Sequence, residues 1–286
     1  MSIVFLNGNY MPIEAAKISP LDRGFLFGDG IYEVIPSYFG KMVGFQGHIN
    51  RLNKGLKAIG IKLDWSDEQW LTLCENLSKK NGAEALGIYL HVTRGADTKR
   101  FHAFPENVTP TVFAMTFEIP IPKKPDLTTV GKGYALTSTE DLRWQRCQIK
   151  STALLGNVLH FQEGYEAGSQ ETLLFNNKKE LTEASASNIF IVKNGIIATP
   201  IQDNQILAGI TRHLIIDILT KEGSLIVEER IITLDEIKNA DEIWVTSSSK
   251  EIAPVTMLDG KPVGDGKVGQ VWLKAATLYS ENKFHY

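Results

Sequence analysis

Apolar residues in the first part of the chain recur at two different spacings, and each spacing predicts a kind of element. Between His48 and Ile59, the residues Ile49, Leu52, Leu56 and Ile59 fall three and four positions apart. That places them on one stripe of an α-helix, and Gly60 supplies the stop. A second helix is predicted over about Ser66 to Lys80, ending at Asn81-Gly82. The stretches Gly87 to Thr93 and Thr111 to Phe117 are rich in β-branched and aromatic residues and predict strands. Between them, Arg94 to Pro110 forms a polar connection longer than most, and such loops tend to carry function. Residues 1–18 predict short strands around Asn7-Gly8-Asn9, because Asn and Gly tolerate the positive φ of a tight hairpin.

The pattern breaks at Glu118 to Pro125, where Pro120, Pro122 and Pro125 favour an extended connector. We therefore expect an N-terminal domain over about 1–118, a linker at 119–125 and a C-terminal domain over 126–286. In the latter, strands alternate with two helices, one after Lys150 and one from about Thr211 to Lys221, just past Gly209. The expected class is α/β.

Composition narrows the function. With 43% hydrophobic and 22% charged residues, the chain has the balance of a globular protein able to build a core. The formal charge is −3 and the basic residues are scattered, which argues against nucleic acid as a partner. Cys74 and Cys147 are too few and too far apart for a disulfide framework or a zinc site, so no metal is expected and a reducing compartment is. The segment Met1 to Gly8 turns polar too early for a signal peptide. No apolar run approaches the roughly 20 residues that span a bilayer, so a cytoplasmic protein without membrane attachment is expected.

Three segments carry candidate chemistry. Lys150 follows Arg143 and Arg146, and a lysine near cationic groups gives up its proton more readily, as Schiff-base chemistry requires. Leu207-Ala208-Gly209-Ile210-Thr211-Arg212 sets a glycine, backbone amides and a hydroxyl at the start of a helix, an arrangement suited to phosphate. Thr246-Ser247-Ser248-Ser249, after the apolar Ile243-Trp244-Val245, offers further hydroxyls. Taken singly, each has a plain alternative: a surface lysine, a capped helix entry, a polar turn.

Together their order and wording resemble the fold-type IV (class IV) pyridoxal-phosphate-dependent aminotransferases, nearly end to end. Asp22-Arg23-Gly24-Phe25-Leu26-Phe27-Gly28-Asp29-Gly30-Ile31-Tyr32-Glu33 is similar to that family's amino-terminal motif, and His48-Ile49-Asn50-Arg51-Leu52 to its arginine helix. Glu183-Ala184-Ser185-Ala186-Ser187-Asn188-Ile189-Phe190 resembles its acidic motif. The resemblance implies a smaller N-terminal α/β sandwich domain and a larger C-terminal pseudo-barrel domain. It also implies pyridoxal 5'-phosphate as cofactor and ping-pong transamination through a Schiff base on Lys150, which moves the proton at the substrate Cα. Arg51 would pair with the phosphate, a task that suits a planar guanidinium. Ile210, Thr211, Ser247 and Ser248 would complete the cradle, with Ser187, Leu207 and Gly209 also at the cofactor. Glu183 would face the pyridine nitrogen and keep it protonated, so that the ring accepts electrons.

Within the family, Tyr32-Glu33-Val34, the Arg146-Cys147-Gln148-Ile149 run before Lys150, and Arg100-Phe101-His102-Ala103-Phe104-Pro105 resemble the D-amino-acid aminotransferases, especially the D-alanine type. This implies that Arg100 and His102 bind the substrate α-carboxylate with Tyr32, while Val34 and Tyr89 also face the substrate. The donor would be a D-amino acid and the acceptor a 2-oxo acid such as 2-oxoglutarate. It further implies a homodimer in which this loop completes the neighbouring subunit's site. Three departures stand out: Ala184 where many relatives have Gly, Ala208 where they often have Pro or Lys, and one extra residue between Arg94 and Arg100. A branched-chain L-aminotransferase would not need Arg100 and His102. An (R)-amine transaminase would take donors lacking a carboxylate, and an aminodeoxychorismate lyase would release pyruvate without an acceptor. Lys150, Glu183 and Arg51 together speak against a cofactor-binding protein without turnover.

Overall fold

A computed structural model describes residues 2–286; Met1, where the expected N-terminal domain begins, lies outside the described residues. The chain divides into two compact units. The first comprises the chain up to Ile121 together with Ile149–Leu154 and Tyr286, and the second comprises Pro122–Gln148 and Leu155–His285.

The first unit is built on an antiparallel sheet of β1 (Ile3–Leu6), β2 (Asn9–Pro12), β3 (Gly30–Tyr38), β4 (Lys41–Met42), β5 (Ala85–Thr93) and β6 (Thr111–Glu118), in the order β2-β1-β6-β5-β3-β4. Asn7 (φ 47°) and Gly8 (φ 92°) make the two-residue turn that pairs Leu6 with Asn9. Alternation along the long strands sends Ile31, Ile35, Ile88, Leu90, Val92 and Ala114 to one face. There they meet Ile49, Leu52 and Leu56 of α2 (Phe45–Ala58) and Trp70, Leu73 and Leu77 of α3 (Asp67–Asn81). The other face carries Tyr32, Val34, Tyr89 and His91. Ser66 and Gln69 form a reciprocal capping box at the start of α3. Helix α2 starts three residues before the expected position, since Phe45 also packs on the core. A further short helix, α1 (Arg23–Phe27), lies inside the amino-terminal motif where none was expected, capped by the Asp22 carboxylate on the Gly24 N–H.

Residues Ile149–Leu154, expected in the C-terminal domain, group with the first unit instead, and the cause is backbone pairing. Strand β4 pairs only with Ser37 and Tyr38, which leaves the start of β3 with an open edge. The 150–152 segment fills it: Tyr32 N–H donates to Lys150 O (3.1 Å) and Thr152 N–H to Gly30 O (3.0 Å).

The second unit holds a mixed sheet of β7 (Tyr134–Glu140), β8 (Glu171–Phe175), β9 (Leu181–Ala184), β10 (Asn188–Lys193), β11 (Ile196–Thr199), β12 (Val227–Glu229), β13 (Glu242–Ser247) and β14 (Glu251–Leu258), with β15 (Lys261–Pro262) paired to β14. The order is β12-β11-β10-β13-β14-β7-β8-β9. Strands β9 and β10 stand far apart in that order, yet only Ser185–Ser187 join them and Ala184 N–H donates to Ser187 O (2.7 Å). So short a link forces the sheet to curl back on itself, as in a barrel left incompletely closed. Its core is Leu136, Leu173, Ile189, Ile191, Ile243 and Val245, all nearly solvent-free.

Two helices were expected here, whereas the described residues contain four: α4 (Leu155–Glu166), α5 (Ile210–Glu222), α6 (Leu234–Lys238) and α7 (Gln270–Asn282). The buried stripe of α7 is Trp272, Ala275, Ala276 and Tyr279. Its spacing is helical, but the two alanines give it little hydrophobic contrast. Helix α6 is too short to show a period. No helix among the described residues is long and apolar enough to cross a membrane.

Candidate functional site

In the first unit, the Lys150 backbone is fixed by its pairing with β3, and its side chain lies over the Tyr32 ring, Nζ 4.0 Å from the centroid. The ammonium has no hydrogen bond or ion pair among the described residues. Across the strands Val34 faces Tyr89, and the Tyr32 and Tyr89 rings lie 5.7 Å apart. Burial pushes the Tyr89 hydroxyl up to about 12, so it stays protonated and can donate. The sheet thus brings Tyr32, Val34, Tyr89 and Lys150 together.

Beneath that face, Arg51 on α2 donates from Nε and Nη2 to the two oxygens of Glu33, both at 2.7 Å. His48, one turn earlier, lies with Nδ1 2.7 Å from Glu33 Oε2. Glu33 is fully buried. Burial alone would raise its pKa, but Arg51 and the His48 hydrogen bond outweigh burial and hold it at about 2. Burial lowers His48 despite the carboxylate, so the ring is neutral at neutral pH and donates its Nδ1 proton. Arg51 is thereby oriented by a carboxylate that stays ionised.

The long loop between β5 and β6 is anchored rather than loose. Asp29 accepts two bonds from Arg94 (2.7 and 2.9 Å) and one from Arg23 (2.8 Å). Burial would raise the Asp29 carboxyl, but the two guanidinium groups overcome it and keep the pKa low. Arg100 and His102 both lie against Phe27: the Arg100 Cζ is 5.0 Å and the His102 ring 5.3 Å from the Phe27 centroid.

In the second unit, Glu183 on β9 is 5% exposed. Its Oε1 accepts from Arg143 Nη1 (2.6 Å), and its Oε2 from Asn188 Nδ2 (3.1 Å) and the Leu207 N–H (3.0 Å). Arg143 also forks onto Asp141 (3.0 and 2.8 Å), which takes a further bond from Thr182. Burial would lower Arg143, yet Asp141 and Glu183 hold it above its usual value. Burial raises Glu183, and Arg143 offsets this only in part. A buried carboxyl so placed gains from one more cationic partner.

Nearby, Asn188 also donates to Leu207 O (2.9 Å), and Gly209 caps α5, followed by Ile210 and Thr211. A Cβ at Gly209 would lie 1.9 Å from Asn188 Oδ1, so a larger residue displaces the Asn188 side chain. At the end of β13, Ser247 Oγ accepts from Lys250 N–H (3.2 Å), and Ser248 follows in the turn. The Thr246 hydroxyl is buried with no partner among the described residues. Ser187, expected at the cofactor, donates to buried Glu171 (3.0 Å) and accepts from Lys250 Nζ (3.2 Å).

Asp141 and Asn188 are functional candidates to which no role was given from sequence, and Arg143, read there only as a cationic neighbour of Lys150, spends its guanidinium on Asp141 and Glu183. Arg143 lies 40 positions from Glu183, a separation without any local pattern, and only its presence in the run before Lys150 hinted at it. No group of three or more His, Cys, Asp or Glu among the described residues could hold a metal ion.

The Amino-transferase class IV family profile matches residues 30–258. The D-alanine aminotransferase of Listeria monocytogenes (strain 10403S) is 38% identical over 270 residues, 94% of this chain and 91% of that one. That of Staphylococcus aureus (strain COL) is 39% identical over 272 residues, 95% and 94% of the two chains. Among solved structures, a T.th. branched-chain amino acid aminotransferase with pyridoxamine 5'-phosphate superposes with a TM-score of 0.90 at 25% identity, covering 99% of this chain and 94% of that one. The Escherichia coli branched-chain amino acid aminotransferase gives 0.86 at 23%, covering 99% and 94%. The family profile covers most of the chain, and the curated relatives align over nearly all of it. This chain belongs to the class IV, fold-type IV, pyridoxal-phosphate-dependent aminotransferases.

Proposed function

We propose that the chain transfers the amino group of a D-amino acid, D-alanine in the first place, to a 2-oxo acid such as 2-oxoglutarate. The observation that carries this reading is the placing of Arg100 and His102 against Phe27, with no ion-pair partner for either among the described residues. A guanidinium and an imidazole so placed suit a carboxylate. The D-alanine aminotransferases among its relatives, at 38% and 39% identity, point the same way.

The donor set fits the cofactor on two observations of the fold: the orphaned Thr246 hydroxyl and the Gly209 cradle that a Cβ would fill. In the second unit the Ile210 and Thr211 amides, Ser247 and Ser248 would hold the phosphate, and Arg51 is the phosphate partner that the family resemblance implies. Glu183 would face the ring nitrogen, and Leu207 and Gly209 would complete the wall. Bound pyridoxal phosphate supplies an aldehyde for the donor amine and a ring that takes up electrons when the Cα–H bond breaks. Lys150, its amine free of hydrogen bonds, would take the Cα proton and return it; the Tyr32 ring holds it in place. Arg100, His102 and Tyr32 would hold the α-carboxylate, and Val34 and Tyr89 the side chain, fixing which face of the donor meets the base.

We place a homodimer on α4, where Leu155, Val158, Leu159 and Tyr165 are each more than half exposed, beside Leu142 and Trp144. A helix face so apolar suits a permanent partner, and a second copy is the one the family resemblance implies. A cytoplasmic setting fits two buried, unpaired cysteines.

The test is a single turnover on cofactor-loaded enzyme, following the visible band. D-Alanine should bleach it and L-leucine should not. Bleaching by L-leucine alone would move the chain to the branched-chain reading, which the fold likeness favours.

A further inference from the structure

We propose that Arg23 and Phe27 are positioning residues that set the register of the Arg100–His102 loop, and with it the fit of the substrate carboxylate. This rests on the D-amino-acid reading above. Arg23 is 3% exposed, an unusual place for an arginine on a short helix beside a polar loop. Its Nε is fixed by Asp29, and the rest of the fork captures three successive carbonyls of the loop. Nη1 donates to Phe101 O and to Ala103 O (3.4 Å), and Nη2 to His102 O (3.2 Å). Only a planar fork can reach three carbonyls while keeping a carboxylate partner.

Arg94 donates to both oxygens of Asp29, sharing Oδ2 with Arg23, donates to Ile59 O (2.7 Å) and Gly60 O (3.2 Å), and stacks over Phe104 at 3.6 Å. Arg23 itself ties the loop backbone at two places. Arg23 N–H donates to Gly95 O (2.9 Å) at the start, and the Arg23 guanidinium takes the carbonyls from Phe101 onward. Between these ties Thr98–Arg100 is exposed. Phe27 then supplies one ring against which Arg23 (4.9 Å), Arg100 and His102 all rest, so the two carboxylate-binding side chains share a single support.

Initial rates of the holoenzyme with D-alanine and 2-oxoglutarate test this, using Arg100→Ala by itself and Arg23→Gln, Arg23→Lys and Phe27→Leu, each alone and combined with Arg100→Ala. Arg23→Gln should raise KM for D-alanine about tenfold while kcat changes by about twofold or less and the visible cofactor band is kept. Arg23→Lys should not rescue, and Phe27→Leu should raise KM less. Neither Arg23→Gln nor Phe27→Leu should add to Arg100→Ala, since both act through the same loop. Effects that multiply with Arg100→Ala, or a fall in kcat and cofactor band at unchanged KM, would overturn the proposal. If Arg23→Gln does not fold, Phe27→Leu carries the same test. A raised KM in Arg100→Ala with none in Arg23→Gln or Phe27→Leu overturns the positioning role alone. An unchanged KM in Arg100→Ala overturns the carboxylate reading, and this proposal with it.

Discussion

Replacing Glu33 by Gln removes the carboxylate to which Arg51 donates twice and His48 once. A carboxyl held at about 2 instead of its usual 4.5 is a more stable anion in the fold than in the unfolded chain. That difference amounts to about 3 kcal/mol, the same order as breaking one partner of a buried ion pair. The folded pKa is depressed, so this stability is fully present above about pH 4.5 and is lost as pH falls toward 2. His48 adds to the loss at higher pH: burial holds its pKa below 6.5, so acid protonates the unfolded chain first. Urea unfolding followed by circular dichroism from pH 7 down to pH 3 measures both effects. Glu33→Gln should lose about 3 kcal/mol at pH 7, and the gap to the wild type should narrow steadily below pH 4.5. A gap under about 1 kcal/mol at pH 7, or one that does not change with pH, would refute the reasoning.

Arg143→Met leaves Asp141 and Glu183 buried without their guanidinium, and should cost about 3–5 kcal/mol in urea unfolding at pH 8. The cost should shrink at pH 5, because both carboxyls rise and can be neutralised by a proton. Gly209→Ala pushes Asn188 off its bonds to Glu183 and Leu207. Titration of the apoprotein with pyridoxal phosphate should show affinity about tenfold weaker, the effect of roughly one lost hydrogen bond. Gly168→Ala, at φ 77°, strains its turn and should lower stability, but its Cβ meets nothing and that affinity should be unchanged.

The sequence pattern located the helices over α2, α3 and α5 because their apolar stripes are large and their ends are marked by Gly60, Ser66, Gly82 and Gly209. It missed α7, whose stripe is half alanine, and α1, whose five residues lie within a motif read for chemistry. Of the site, single residues were legible through motifs: Lys150, Arg51 and Glu183 sit in runs with recognisable wording. Their supports were not, because Glu33 to Arg51, Arg143 to Glu183 and Arg23 to Phe101 are joined by folding and not by spacing. Glu171, the buried residue on β8 to which Ser187 donates, is likewise announced by no motif.

The Lys150 segment seals an edge of β3 that residues 1–121 cannot seal themselves. During synthesis, that stretch of exposed strand backbone waits for residues made some 30 positions after the Ile121 break, and until then it can pair with another chain. A fragment cut at the proline-rich connector would keep the open edge permanently and should aggregate. The peptide that carries Lys150 is thus also the closing strip of the sheet, so that placing this lysine and protecting the strand edge are one event.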